Sequence, residues 1–236
     1  MNKYVKQCIG EIIVSCQAPI ETPLYGADYM KAMAASVLLG GAKAIRACWP
    51  QDIKAIRELG DFPIVGINKV LDPNIPRYEQ IFITPSLKTA EEIIEAGSNI
   101  IAMDCTIKAI RGEEELYQLL KSVKTAYPGI AIMADCSTLE EMVFAANTGF
   151  VDIVSSTLSG SRKQMVGPDL DIIIKAKKQI SLPINAEGRI YDLQDLEAVL
   201  DTKAADMVTI GRAITMPQAI THRFVNFYEE YKNKQS

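Results

Sequence analysis

The stretch Leu182-Pro-Ile-Asn-Ala-Glu-Gly-Arg-Ile190 is a short apolar run that stops abruptly at Gly188-Arg189, and Met207-Val-Thr-Ile-Gly-Arg-Ala-Ile214 repeats the pattern at Gly211-Arg212. Each is followed by a segment of helical periodicity, so each reads as a buried strand feeding a helix. Two such units side by side at the C-terminal end suit the last two strands of a barrel of parallel strands, where the following loops and a helix N-terminus bind phosphate. Glycine at both ends fits, since backbone N–H groups approach an anion closely only where no Cβ intervenes. Glu187 does not fit a pure phosphate site. A carboxylate opposes phosphate binding, so its place at a strand end points to chemistry on the rest of a substrate. The plainer alternative, turn glycines beside a solvated Glu187, explains either stretch alone better than both in tandem.

Working outward, strand-like runs alternate with helix-like ones along the whole chain, the pattern of repeated βα units and a parallel sheet. Strands are expected at 12–17, 44–47, 62–69, 100–104, 130–135 and 151–156, ahead of the two opening stretches. Helices are expected at 29–39, 51–59, 89–96, 113–126, 139–148, 169–179 and 193–200, with 217–231 closing the barrel. Ile81-Phe-Ile-Thr84 would be a ninth strand, but parallel neighbours need a connection of a dozen or more residues and the run follows Lys69 too closely. Residues 70–84 are therefore expected to form an elaborated loop whose short extended segment lies outside the barrel. The expected fold is a (β/α)8 TIM barrel, one domain over residues 1–236, with the phosphate site at strands 7 and 8.

Composition narrows the partners. With 48% hydrophobic and 23% charged residues the chain can bury one large core, and a net charge of -4 gives no reason to expect nucleic acid or a membrane surface. No run approaches the roughly 18 apolar residues of a membrane span, and the N-terminus does not read as a signal peptide. Cys8, Cys16, Cys48, Cys105 and Cys136 show no close pairing and read as reduced, buried residues of a cytoplasmic protein. The single histidine, His222, argues against a histidine-rich metal site, and a Ser-His-Asp triad would rest on it alone. No metal and no cofactor are expected; no G-x-G-x-x-G follows a strand to hold a nicotinamide.

Barrel active sites sit at the C-terminal strand ends, and these are nearly all polar: Gln17, Arg46, Lys69, Asp104, Asp135, Ser156 with Thr157, Glu187 and Arg212. Each alone has a structural explanation, such as helix capping by Asp104 or Asp135. A whole ring converging on one mouth is harder to explain that way. Lys69 ends the continuous run Pro63-Ile-Val-Gly-Ile-Asn68, projecting from an apolar wall where its pKa can fall.

These residues resemble a known family, the N-acetylmannosamine-6-phosphate 2-epimerases of bacterial sialic acid catabolism. The matching pieces are Ile13-Val-Ser-Cys-Gln-Ala18, Ala44-Ile-Arg-Ala47, Val65-Gly-Ile-Asn-Lys69, Phe82-Ile-Thr84, Ile101-Ala-Met-Asp104, Ile132-Met-Ala-Asp135, Ser156-Thr-Leu-Ser-Gly160, Ile184-Asn-Ala-Glu-Gly188 and Gly211-Arg-Ala-Ile-Thr215, in order across nearly the whole chain. The resemblance implies a phosphate-binding TIM barrel in which Lys69 and Glu187 are catalytic. It also implies that Gln17, Arg46 and Asp135 hold the sugar. Asp104 and Thr157 join the expected substrate contacts, and Gly188, Arg189, Gly211 and Arg212 the phosphate contacts. Three places depart from the family's pattern: Cys48-Trp49 stands where a small polar residue is usual, Ser161 where Tyr is usual, and Ile107-Lys-Ala-Ile-Arg-Gly112 where an arginine- and proline-rich turn is usual.

The implied reaction moves the hydrogen at C2 of an open-chain 2-acylamino sugar phosphate, which needs a proton carrier and a stabiliser for the enolate oxygen but no redox cofactor. The sequence leaves open which of Lys69 and Glu187 removes the proton. Rival readings are a Schiff-base aldolase working through Lys69, a metal-assisted pentose phosphate epimerase lacking its histidines, and a non-catalytic sugar-phosphate-binding barrel. The partner expected in every case is a small sugar phosphate, with a homodimer as the possible assembly.

Overall fold

The computed structural model describes residues 1–160 and 165–235. Eight parallel strands close on themselves in sequence order: β1 (Ile12–Cys16), β2 (Ala44–Cys48), β3 (Ile64–Ile67), β4 (Ile100–Asp104), β5 (Ala131–Asp135), β6 (Ile153–Ser155), β7 (Ile184–Glu187) and β8 (Met207–Ile210). The seam is β8 against β1, with Ile13 opposite Thr209. Helices α2 (Ala27–Leu39), α3 (Pro50–Arg57), α4 (Leu87–Glu95), α5 (Glu113–Ala126), α6 (Leu139–Asn147), α7 (Leu170–Gln179) and α8 (Leu193–Asp201) follow β1 to β7 in turn, each with one apolar face against the sheet. The expected TIM barrel is present. Its strands read as unbroken apolar runs because both faces are buried, one under helices and one inside the barrel.

Inside the barrel, polarity changes with height. The lower layer is apolar, with Ile13, Ala44, Val65, Ile100, Ala131, Ile153 and Met207 pointing inward. A short helix that the sequence reading did not anticipate, α1 (Lys3–Cys8), seals this end with Val5 and Cys8, both fully buried. The upper layer is polar and buried: Ser15, Arg46, Asp135, Ser155, Asn185 and Thr209. Side chains two apart on a strand share a face, so the inward positions pass from apolar to polar along β1, β2, β5, β6 and β8.

Two expectations need correction. The segment around Ile81–Thr84 is not outside the barrel. Strands β3 and β4 pair only at Val65 with Ile100 and Gly66 with Ile101, and above that point the returning segment fills the gap. Lys69 pairs antiparallel with Ile83, the Val70 N–H donates to the Phe82 carbonyl (3.0 Å), and the Asp104 N–H donates to the Ile83 carbonyl (2.7 Å). Phe82 and Ile83 are 2% exposed, because an apolar run with open backbone groups is better placed against two diverging strands than in water. The second correction concerns α9 (Pro217–Gln235). The barrel is closed by β8 on β1, and no residue of α9 is buried.

Asp52, in the first turn of α3, is 1% exposed, and neither carboxylate oxygen meets a hydrogen-bond donor among the described residues. Burial pushes its pKa up from 3.8 to about 6. A folded-state value above the unfolded one means that ionisation works against the fold as pH rises from about 4 to 6. Asp52→Asn should therefore raise stability at pH 7 by roughly 1–3 kcal/mol, a gain that fades as pH falls from about 6 to 4; thermal melts at pH 4 and pH 7 check both halves.

Candidate active site

The polar layer opens at the C-terminal strand ends into a cavity of about 660 Å³, a size ordinary for a small-molecule site. Its centre is Arg46, 1% exposed, whose guanidinium reaches Asp135 (Nη2 to Oδ2, 2.5 Å; Nη1 to Oδ1, 3.3 Å) and Glu187 (Nη1 to Oε2, 3.2 Å). Burial would discharge Arg46, but Asp135 and then Glu187 outweigh it, so its pKa is held above the ordinary arginine value. Two further side chains hold these carboxylates: the Thr157 hydroxyl bridges Asp135 Oδ1 (2.7 Å) and Glu187 Oε2 (3.0 Å), and Asn185 Nδ2 donates to Glu187 Oε2 (3.3 Å). Burial, with the nearby Asp135 adding to it against the pull of Arg46, pushes the Glu187 carboxyl upward.

Lys69 faces the same cavity from the opposite wall. Its Nζ donates to Gln17 Oε1 (2.6 Å), and Gln17 Nε2 donates to the Ser15 hydroxyl (2.6 Å). Burial pulls its pKa below the lysine range, and the positive charges of Arg77 and Arg46 pull the same way, against the opposing influences of Cys48 and Glu187. One wall thus carries an amine displaced toward neutrality and the other a carboxyl displaced toward neutrality, the environment in which groups exchange protons near pH 7.

The far end of the cavity is the tandem signature. Gly188 takes φ 108°, a conformation that suits glycine, and a Cβ on Gly211 would lie 3.2 Å from the Ser15 Cβ. Both line the cavity, as does Arg212. Arg189 lines it too, but its guanidinium is committed to the Ser159 and Gly167 carbonyls (2.5 and 2.7 Å), bracing the loop after β6. The sequence reading missed Arg77, which lies over the Phe82 ring (4.5 Å) on the cavity wall and near Arg212. Arg77 and Arg212 have no acidic partner among the described residues. An arginine in a loop of no recognisable pattern gives no sequence signal.

Asp104 and Asp135 are fully buried below the cavity and do not line it. Neither caps a helix: α6 is capped by Thr138, and Asp104 accepts from the Thr106 N–H (3.0 Å) and hydroxyl (2.6 Å). Asp135 holds Arg46, while Asp104 anchors the departing turn, whose Arg111 folds back onto the Asp104 and Thr106 carbonyls (2.5 and 2.9 Å). Gln17, Arg46, Lys69, Thr157 and Glu187 are brought together as expected. Ser161 lies outside the described residues.

Residues 30–230 match the family described as "Putative N-acetylmannosamine-6-phosphate epimerase". The chain belongs to this epimerase family. A curated relative from Caldanaerobacter subterraneus subsp. tengcongensis, named "Putative N-acetylmannosamine-6-phosphate 2-epimerase", is 40% identical over 224 residues, covering 93% of this chain and 91% of the relative. The solved N-acetylmannosamine-6-phosphate 2-epimerase from Clostridium perfringens superposes with a TM-score of 0.82 at 34% identity, covering 94% and 95% of the two chains. An aldolase structure at 14% identity and TM-score 0.64 shares the fold alone.

Within this epimerase-family site, Asp135→Ala would leave the buried Arg46 guanidinium with Glu187 as its one carboxylate partner. Loss of one partner of a buried pair costs about 3–5 kcal/mol, so the variant should show a large fall in unfolding free energy by urea titration, whereas Gln17→Ala at the cavity wall should change it by less than about 1 kcal/mol.

Proposed function

We infer that the protein interconverts N-acetylmannosamine 6-phosphate and N-acetylglucosamine 6-phosphate by moving the C2 proton, a cytoplasmic step of amino-sugar catabolism carried out by one catalytic unit spanning residues 1–236. The observation that carries the reading is the pairing of Lys69 and Glu187 across one cavity, each displaced toward its neutral form, with Arg46 held between carboxylates beside them. In the open-chain sugar, C2–H is acidified by the neighbouring aldehyde. The free amine of Lys69 takes that proton, the electrons pass to the aldehyde oxygen as an enolate, and return of the proton to the other face gives the epimer. Glu187 serves the C1/C2 end, where a carboxyl raised in pKa stabilises or relays charge. Gln17 and Arg46 orient the acylamino and hydroxyl groups. Thr157 fixes the Glu187 carboxylate. The phosphate lies against the Gly188 and Gly211 backbone, between Arg212 and Arg77, with Arg189 contributing backbone alone.

Lys69→Ala should retain the fold and lose on the order of 10²-fold or more in kcat, and wild-type product formed in D2O should carry deuterium at C2. Proton NMR of the sugar measures both. Retention of the original hydrogen at C2, or trapping of Lys69 by borohydride in the presence of substrate, would replace this mechanism with the redox or Schiff-base alternative. Because the proton carrier is an amine with a lowered pKa, the rate should rise with pH and level off below the ordinary lysine range.

The assembly we propose is a homodimer built on α9. Ile220, Phe224, Phe227, Tyr228 and Tyr231 recur at helical spacing along one face, and Phe224 is 73% exposed. The barrel in turn leaves Ile12 of β1 and Leu193 and Leu200 of α8 exposed, apolar surface of the kind a second copy would cover. Light scattering should give twice the chain mass of 26.0 kDa, and Phe224→Glu with Phe227→Glu should give the monomer; a monomeric wild type removes the proposal.

A further inference from the structure

Trp49 joins β2 to α3 with φ 68° and ψ 146°, a backbone region almost reserved for glycine that persists only where neighbours impose it. Three do. The Trp49 N–H donates to the Ile67 carbonyl (2.9 Å), the ring meets Tyr25 edge-on with centroids 5.5 Å apart, and Nε1–H donates to the Lys69 carbonyl (3.2 Å).

The third contact has a topological meaning. Along β2 and β3 the ladder advances two residues at a time: the Ile45 N–H donates to Pro63 and the Trp49 N–H to Ile67. Continued regularly, the next donor to Lys69 would be the backbone N–H of Gln51. That group has already turned into the first turn of α3, behind Pro50, which has no N–H of its own. The indole fills the missing place. Lys69 is then fixed from both sides: its carbonyl by Trp49, and its backbone on the far side by pairing with Ile83.

We propose that Trp49 is a positioning residue for Lys69, its indole N–H supplying the ladder rung that the start of α3 removes, so that the presentation of the lysine amine depends on a side chain rather than on the sheet. The proposal rests on the assignment of Lys69 as proton carrier, but the rung itself does not.

Because the chain has a single tryptophan, its indole N–H gives one resonance in a proton–nitrogen correlation spectrum. That proton should exchange with D2O markedly more slowly than in free tryptophan; exchange at the free rate overturns the proposal whatever the enzyme's activity. In the rate assay, Trp49→Gly accepts the backbone conformation without strain and should still melt cooperatively, with kcat down about three- to tenfold, as expected for one hydrogen bond, and KM changed less than twofold. Added indole should restore the rate, and benzofuran, which has the same shape without the N–H, should not. Equal rescue by both, or wild-type kcat in Trp49→Phe, shows packing alone and overturns the proposal. A wild type inert toward C2 exchange while its indole is protected would sink the epimerase reading and leave the rung standing.

Discussion

A guanidinium enclosed in the middle of a barrel is the constraint from which the rest of this molecule follows. Taking such a charge out of water costs several kcal/mol unless partners restore what solvation supplied. Arg46 therefore requires Asp135 beneath it and Glu187 beside it, and Thr157 and Asn185 in turn hold these carboxylates. That demand sets the character of the upper barrel, where β1, β2, β5, β6, β7 and β8 all place a polar residue inward. The lower barrel is free of it and is packed with aliphatic side chains under α1.

The cluster is not electrically balanced, and the imbalance is chemically useful. One guanidinium serves two carboxylates, so the carboxylate nearer the cavity is the one whose charge is incompletely supported. Burial does most to displace Glu187 upward, and Asp135 adds to it against the pull of Arg46. Across the cavity burial again does most, pulling Lys69 below the lysine range with Arg77 and Arg46 adding to it against Cys48 and Glu187, and its hydrogen-bond partner is a neutral amide. An amine and a carboxyl on facing walls are thus each displaced toward the neutral form.

Most of this is legible in the sequence. Periodicity and the alternation of run types identify the eight strands and the eight helices α2 to α9, because a parallel barrel imposes one pattern eight times. The polar strand ends locate the cavity, with Gln17, Arg46, Lys69, Thr157 and Glu187 in place. What was not readable depended on direction rather than identity. Nothing in the residue type distinguishes an aspartate facing a ligand from one buried beneath an arginine, which is why Asp104 and Asp135 were expected at the cavity. Arg189 carries the right charge in the right loop, yet its side chain turns back to the Ser159 and Gly167 carbonyls. The run around Ile81–Thr84 is too short to announce that it pairs with two strands at once, and α1 has too few apolar positions to signal that it closes the barrel floor.

The wedge formed by Phe82 and Ile83 has a consequence for how this architecture tolerates variation. It is tied to Lys69 on one side and to Asp104 on the other, so the chain between 70 and 80 leaves and re-enters the barrel at two fixed points a short distance apart. The entropy of closing a loop between fixed ends grows only slowly with its length. A change of length in that excursion, away from Arg77, therefore leaves the lysine at its root in place, because a clasp on each side fixes where the chain departs and where it returns.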